Sequence, residues 1–228
     1  MGIPYSYSLE LPYRCWELID QLWPQVSKIE CSDGLGPLTT TFLLAMATPI
    51  IVVPIERIAN KTKNNQSYVD DGYIDEQLTR KFQNIYKLDS LTDAAFFEKN
   101  SWSLVKWNKT KEPLNIARDF PQELASCLAK ENAATAASKM PLSEWAACLR
   151  NAISHGGIAY LDKDGFQATG NSAKMFAFVS GDYKEDDAKK RNLVGIKVLR
   201  ISEEAFKNFL KLWVIWLREN KLCNLKAA

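Results

Sequence analysis

Apolar side chains recur at helical spacing along most of the chain. Residues three and four apart share one face of an α-helix. This period predicts helices from Pro12 to about Glu30, from Leu38 to Ala59 and from Gln122 to Ser138, another after Pro141, and a last helix that opens at Ser202. The segment from Leu38 to Ala59 is apolar nearly all round, which is typical of a helix enclosed by others.

Other stretches follow a different pattern. The period shortens to two after residue 157, and Ile158–Leu161 and Phe166–Ala168, joined by an Asp-Gly turn, predict a β-hairpin. Met175–Ser180 and Leu193–Ile201 predict two more strands. The charged run Asp182–Arg191 between them predicts a solvated loop.

These patterns predict a mainly α fold, a helical bundle with a small β-hairpin or sheet insertion before the C-terminal helix. We expect a single domain over residues 1–228, with a helical core at about 7–156 and 202–221 and a β appendage at about 158–201. A polar loop is predicted at Asn60–Gly72 and an amphipathic segment at Ile74–Leu88. Signals between residues 91 and 120 are mixed and assign no element.

The composition limits the kinds of function that the chain can have. The chain has 228 residues, 46% of them hydrophobic, which is enough for one large core. The formal net charge of +2 is too small to indicate nucleic-acid binding by bulk electrostatics, so any RNA contact must be local or built across a dimer. Five cysteines without a Cys-x-x-Cys pair and a single histidine make a zinc site unexpected. No metal or cofactor is expected.

The same features bear on location. The N-terminus lacks a basic region followed by an apolar one, so no signal peptide is expected. The apolar stretch from Thr41 to Ile55 is shorter than a membrane span and is interrupted by two prolines, so it predicts a central buried helix. Reduced, packed cysteines fit a cytoplasmic protein without a membrane partner.

The only histidine stands in the run from Leu149 to Gly157, whose sequence is Leu-Arg-Asn-Ala-Ile-Ser-His-Gly-Gly. Imidazole can take and return protons near neutral pH, and guanidinium binds phosphate oxygens through a planar fork. Together His155 and Arg150 suit cleavage of RNA through the ribose 2′-hydroxyl. That reaction needs an acid/base and charge stabilisation but no metal.

On a helical projection, the polar residues of this run share one arc, made up of Arg150, Asn151, Ser154 and His155. Asn151 and His155 are four apart and therefore neighbours, whereas Arg150 and His155 are about 140° apart. Those two side chains reach one phosphate only if the helix ends there, if the arginine bends round, or if a second copy supplies one of them. Ala147 is small and central on the arc and would allow a second helix to approach closely.

Gly156-Gly157 predicts that the helix ends here. The partial negative charge of a helix C-terminus favours protonated His155 but repels a phosphate, so a cation such as Arg150 becomes necessary. The alternative is a core histidine, which would have to be buried from the polar face of its helix.

The R-N-x-x-x-H motif at the end of a helix resembles the HEPN superfamily, whose signature is Arg, four to six residues, then His. The stretch from Leu149 to Asp162 is similar to a plasmid-associated bacterial HEPN subfamily, and so are Phe176–Ser180 and Val198–Phe206. The close likeness covers roughly residues 140–217. The resemblance implies a HEPN-like helical bundle.

It also implies a metal-independent endoribonuclease, acting in a toxin–antitoxin or phage-defence system. His155 would move protons around the 2′-hydroxyl and the leaving 5′-oxygen, Arg150 would hold the scissile phosphate, and Asn151 would orient it, with Ser154 as a supporting donor. The product would carry a 2′,3′-cyclic phosphate. The implied partners are RNA, a second copy that completes a composite active site in a homodimer, and an antitoxin such as a nucleotidyltransferase.

Two further interpretations stay open. In the first, the chain is a non-catalytic HEPN domain that binds a nucleotide or RNA, or serves as a dimerisation or regulatory module. In the second, it is an unrelated helical protein in which the motif arose by chance. The sequence contains no nucleophile elbow, no P-loop and no dinucleotide-binding glycine pattern, so other catalytic schemes have no support.

Overall fold

A four-stranded antiparallel sheet organises the part of the chain that the computed structural model describes, namely residues 7–30, 32, 36–59, 80, 83, 84, 86–108, 116, 120–168, 172–186 and 190–219. Its strands are β1 (Trp102–Asn108), β2 (Ile158–Leu161), β3 (Met175–Glu185) and β4 (Arg191–Ser202). They lie side by side in the order β1-β4-β3-β2. The central pair, β3 and β4, is also the longest, and it carries a register shift between Asp182 and Tyr183.

Alternation along the strands divides the sheet into two buried faces. Phe176 and Phe178 of β3 belong to the larger core cluster, whereas their neighbours Ala177 and Val179 belong to a smaller cluster on the opposite face. Both faces are therefore covered. This explains why the start of β3, Met175–Val179, is a continuous apolar run.

Six α-helices accompany the sheet in the described residues: α1 (Glu10–Val26), α2 (Thr39–Ala47), α3 (Gln122–Leu128), α4 (Glu131–Ser138), α5 (Leu142–His155) and α6 (Glu203–Glu219). Helices α1, α2, α5 and α6 contribute to the larger cluster, and α3 to the smaller one. The predicted helix from Gln122 to Ser138 is two helices, because Lys130 adopts an extended conformation.

Prolines reshape the predicted apolar helix after Ala47. The segments Thr48–Val52 and Ile55–Ala59 are π-helical, a geometry that arises where the regular hydrogen-bond ladder is interrupted. Pro54 has no N–H to donate to the carbonyl of Ile50, and the indole Nε1 of Trp213 takes that place at 2.9 Å. This buried bond ties helix α6 to the π-helical segment.

The apolar run from Thr39 to Arg57 is the one helix in the described residues that is long and apolar enough to cross a membrane. Ile50 and Ile51 are fully buried in the larger core cluster. One side of the run therefore packs into the core, and 44% of its apolar window is buried.

The predicted fold class is wrong: the protein is mixed α/β, and the strands expected to form a small appendage at 158–201 belong to a sheet with helices packed on both faces. Strand β1 lies in the region to which the sequence assigned no element, and it pairs with β4 about ninety residues away. Half of the predicted loop at Asp182–Arg191 is also strand, since β3 continues to Glu185 and β4 starts at Arg191. Residues 166–168 form only an isolated bridge.

Several sequence predictions lie outside the described residues. These are the polar loop at Asn60–Gly72 and most of the amphipathic segment at Ile74–Leu88. The prediction of a single domain over 1–228 stays a prediction.

The turn from α5 into β2 yields a test of the fold. A Cβ at Gly157 would overlap the carbonyl oxygen of Val179, whereas Gly156 has open space around it and a left-handed φ of 70°. We expect Gly157→Ala to lower the free energy of unfolding by about 1–3 kcal/mol, because backbone must move. Gly156→Asn, which tolerates the left-handed region, should change it by less than about 0.5 kcal/mol. Urea unfolding measures both, and equal effects would contradict this account of the turn.

Candidate active site on the motif helix

Helix α5, which carries the R-N-x-x-x-H motif, is anchored by one aromatic side chain. Trp145 is fully buried, and its ring lies 5.5 Å from that of Trp102 and 5.3 Å from that of Phe209. Both distances are typical of edge-to-face packing. Because Trp145 fixes the rotation of the helix, the opposite arc, with Ala147, Ser154 and His155, is turned to solvent.

The helix ends at the motif histidine, as its two glycines predict. Gly156 adopts the left-handed conformation, and the N–H of Gly157 donates to the carbonyl of Ala152 at 2.8 Å. This geometry is that of a Schellman-type C-cap. His155 therefore stands on the last turn, exposed and next to the negative end of the helix.

Asn151 lies on the side of α5 that faces the sheet. It is half-buried, and its Nδ2 donates to the Oγ of Ser180 on β3 at 3.4 Å. His155 follows one turn later on the same ridge. Asn151 thus links α5 to β3 one turn before the exposed histidine.

Arg150 points to the other side of α5. Its Nε lies 3.1 Å from Oε1 of Glu56, in the π-helical segment Ile55–Ala59. Tyr86 lies close by: burial raises the pKa of its hydroxyl, an effect that Arg150 counteracts and Glu56 reinforces. The side chains of Arg150 and Glu56 keep 29% and 39% of their surfaces exposed, although the Nε atom of Arg150 is itself buried.

All four predicted site residues lie on helix α5, but only Ser154 and His155 are exposed, and the four are not gathered at one point. Arg150 faces the π-helical segment and Asn151 faces β3. Among the described residues, Arg150 and His155 do not hydrogen bond to each other. Within a single chain, Arg150 and His155 therefore point to different sides of α5, as the sequence predicts.

A model of the family HEPN pEK499 p136, a HEPN family from a plasmid-associated protein, matches residues 1–222. The chain belongs to this family. The match includes the whole motif helix and the sheet, and it extends the likeness well beyond residues 140–217. No curated protein and no solved structure shows a significant match.

In this HEPN protein a cleft runs beside the motif, between α5 and the strands β3 and β4. Its volume is about 330 Å³, and Asn151 and Ser180 contribute to its lining. Two of its lining residues form an ion pair, since Nζ of Lys197 lies 2.6 Å from Oε1 of Glu144, and the same Nζ lies 3.0 Å from Oδ1 of Asp182. Lys106 of β1 reaches the same glutamate oxygen at 3.0 Å.

Opposing effects set the pKa values of this cluster. Burial raises the pKa of Glu144, but hydrogen bonds from Lys197 and Lys106 outweigh it and leave the pKa below its ordinary value. Burial lowers the pKa of Lys197, and hydrogen bonds to Glu144 and Asp182 raise it above its ordinary value. The charged forms of both groups are therefore stabilised in the folded protein.

Sequence reasoning missed Glu56 and this charged cluster. Glu144 could have been assigned to the site from the sequence, since it stands two turns before Asn151 on the same helix. Glu56 and Lys197 could not, because π-helical geometry and strand register bring them to α5 from distant parts of the chain.

The depressed pKa of Glu144 makes stability depend on pH. The ion pairs contribute fully above the pKa of an unfolded glutamate, about 4.3, and this contribution is lost as pH falls through the lower folded pKa. We expect Glu144→Gln to cost about 1–2 kcal/mol at pH 7, and the gap between variant and wild type to shrink as pH falls below about 4.3. Urea unfolding across this range measures it.

Glu123→Gln, at an exposed position on α3, is the control and should change little at any pH. A constant gap between Glu144→Gln and wild type down to pH 3 would show that the ionised glutamate does not stabilise the fold.

Proposed function

We propose that the protein is a metal-independent endoribonuclease of a toxin or phage-defence system that acts in the cytoplasm. The observation that carries the proposal is the exposure of the motif: His155 and Ser154 are exposed on the last turn of α5, in a chain that belongs to a HEPN family. An exposed imidazole is accessible to a substrate, which a histidine in the core would not be.

The residues take the roles that the motif implies. His155 transfers protons at the 2′-hydroxyl and the leaving 5′-oxygen, and Arg150 binds the scissile phosphate. Asn151 orients the phosphate, and Ser154 supplies a further donor. Attack of the 2′-oxygen on phosphorus breaks the bond to the 5′-oxygen and leaves a 2′,3′-cyclic phosphate.

Glu56 must release Arg150 before the arginine can bind a phosphate. Both partners are more than a quarter exposed, and an ion pair of this kind contributes only about 0–1 kcal/mol, so its release costs little. The ion pair therefore keeps the guanidinium in position without preventing it from binding a phosphate. A second copy of the chain, packed against the small exposed residues Ser143, Ala147 and Ser154, would bring its own motif to the same phosphate.

The ion pair also favours a second candidate function. Arg150 already has an anionic partner, and the cleft beside Asn151 has the volume of a small-molecule site. A non-catalytic HEPN domain that binds a nucleotide or RNA would have both features. Binding of nucleotides or RNA without any cleavage would favour it.

The first test is incubation of the purified protein with a mixed RNA pool in EDTA. We expect cleavage that leaves 2′,3′-cyclic phosphate ends, and we expect His155→Ala to slow it at least about 100-fold, because general acid–base catalysis contributes that much or more. Arg150→Ala should slow it as well, with Arg150→Lys partly restoring the rate. Glu123→Gln is the matched purification control. Equal cleavage by wild type and His155→Ala would refute the proposal.

A composite site predicts that activity depends on assembly. Specific activity should rise with protein concentration until the dimer is saturated. Ala147→Arg places a large side chain on an exposed position of α5, so it should leave monomer stability unchanged while it abolishes the dimer in sedimentation. It should also reduce cleavage about tenfold or more. Thr135→Arg, exposed on α4, is the control, and a monomeric but fully active Ala147→Arg protein would exclude the composite site.

A further inference from the structure

The cleft beside Asn151 extends to the end of the β3–β4 hairpin, away from the motif. Tyr183, Arg191 and Gly181 contribute to its lining together with Asn151, Ser180 and Lys197. One wall of the cleft therefore carries a motif residue. The other carries side chains that the proposed chemistry does not use.

The described charged side chains around the cleft are paired with opposite charges, except for one arginine. Lys197 and Lys106 are neutralised by Glu144 and Asp182. Arg191 forms no ion pair with the part of the chain that the structure describes, and it is exposed. It supplies the positive charge that remains for a phosphate.

Tyr183 offers an aromatic face at the same place. Its side chain is 49% exposed, and the guanidinium carbon of Arg191 lies 5.1 Å from its ring centroid. The register shift at Asp182/Tyr183 changes the direction of the strand here. A Cβ at position 181 would collide with the ring, so Gly181 allows Tyr183 to lie close against the strand.

The fold does not explain this arrangement. Tyr183 belongs to neither core cluster, and the hairpin end around it is charged and exposed. An exposed ring with an arginine stacked on it is the chemistry that holds an unpaired base, because every base has a π-face and the arginine adds a contact to phosphate.

We propose that this cleft binds one unpaired nucleotide of a single-stranded RNA, next to the phosphate that is cut. The base stacks on Tyr183 and Arg191, and Asn151 and Ser180 contact the nucleotide on its path to His155. A base inside a duplex is stacked on its neighbours and cannot enter, so the site selects single-stranded RNA. This inference rests on the proposed function, since it names the substrate of the same site.

The test separates binding from cleavage by use of the His155→Ala protein. Its affinity for a short unstructured, fluorescently labelled RNA is measured by anisotropy in EDTA, with one abasic nucleotide placed at each position in turn. We expect one position at which loss of the base weakens binding about tenfold, the usual scale of a stacked base. Tyr183→Leu should weaken binding of the intact RNA by the same factor. In this variant, removal of the base at that position should have no further effect.

Tyr13→Leu is the matched control, because an arginine also stacks on Tyr13. The guanidinium carbon of Arg218 lies 3.9 Å from its ring centroid. This pair lies on helices α1 and α6, away from the hairpin. Its affinity and its abasic profile should equal those of the parent. Thermal unfolding confirms that each variant is folded.

Salt dependence tests the role of Arg191 separately. Loss of one phosphate contact to a single strand lowers the slope of log affinity against log salt by about 0.7. Arg191→Gln should show that reduction, whereas Tyr183→Leu should leave the slope unchanged. An unchanged slope in Arg191→Gln would remove the phosphate contact from the proposal.

The outcomes separate the two proposals. If wild type cleaves RNA while Tyr183→Leu binds and responds to abasic positions like Tyr13→Leu, the subsite is wrong and the ribonuclease stands. If no cleavage occurs but Tyr183→Leu still abolishes the effect of the abasic position, the subsite is correct and the domain is non-catalytic. If the His155→Ala protein binds no single-stranded RNA, the subsite is wrong.

Discussion

Trp145 sets the orientation on which the rest of the site depends. Its indole fills the space between β1 and helix α6, with rings of both packed around it. A helix that buries Trp145 together with five smaller residues on the same helix cannot turn about its axis without opening a cavity, which costs about 3–5 kcal/mol for the tryptophan alone. The polar arc of α5 is therefore fixed outward, and the motif is exposed because of what the opposite face buries.

That orientation also decides how the motif side chains diverge. Arg150 leaves α5 toward Glu56, where two prolines have produced a π-helical segment, and Asn151 leaves it toward Ser180 on β3. His155 is set by the glycine cap at the negative end of the helix. One chain thus offers an arginine on one flank and a histidine at the tip, an arrangement that a second copy could complete from the open side.

The sequence predicted the parts of this site that are local. The period of α5, its glycine stop and the polar arc are readable from neighbouring residues. Strand β1 was missed because its partner β4 is distant in the sequence, and the charged hairpin was taken for a loop because its strands are stabilised by pairing and not by burial. Glu56 and Lys197 reach α5 only through such long-range geometry, so neither could be assigned to the site beforehand.

The near-neutral charge of the chain is consistent with the arrangement around the cleft. A net charge of +2 yields little counterion release, so RNA affinity cannot come from electrostatics spread over the surface. At the cleft, Lys197 is already neutralised by acids, and Arg191 is left over. In the proposed subsite, stacking on Tyr183 would add affinity that salt does not screen and that needs an unpaired base. A protein with so little positive charge would therefore recognise flexible single strands in preference to the evenly charged backbone of a duplex.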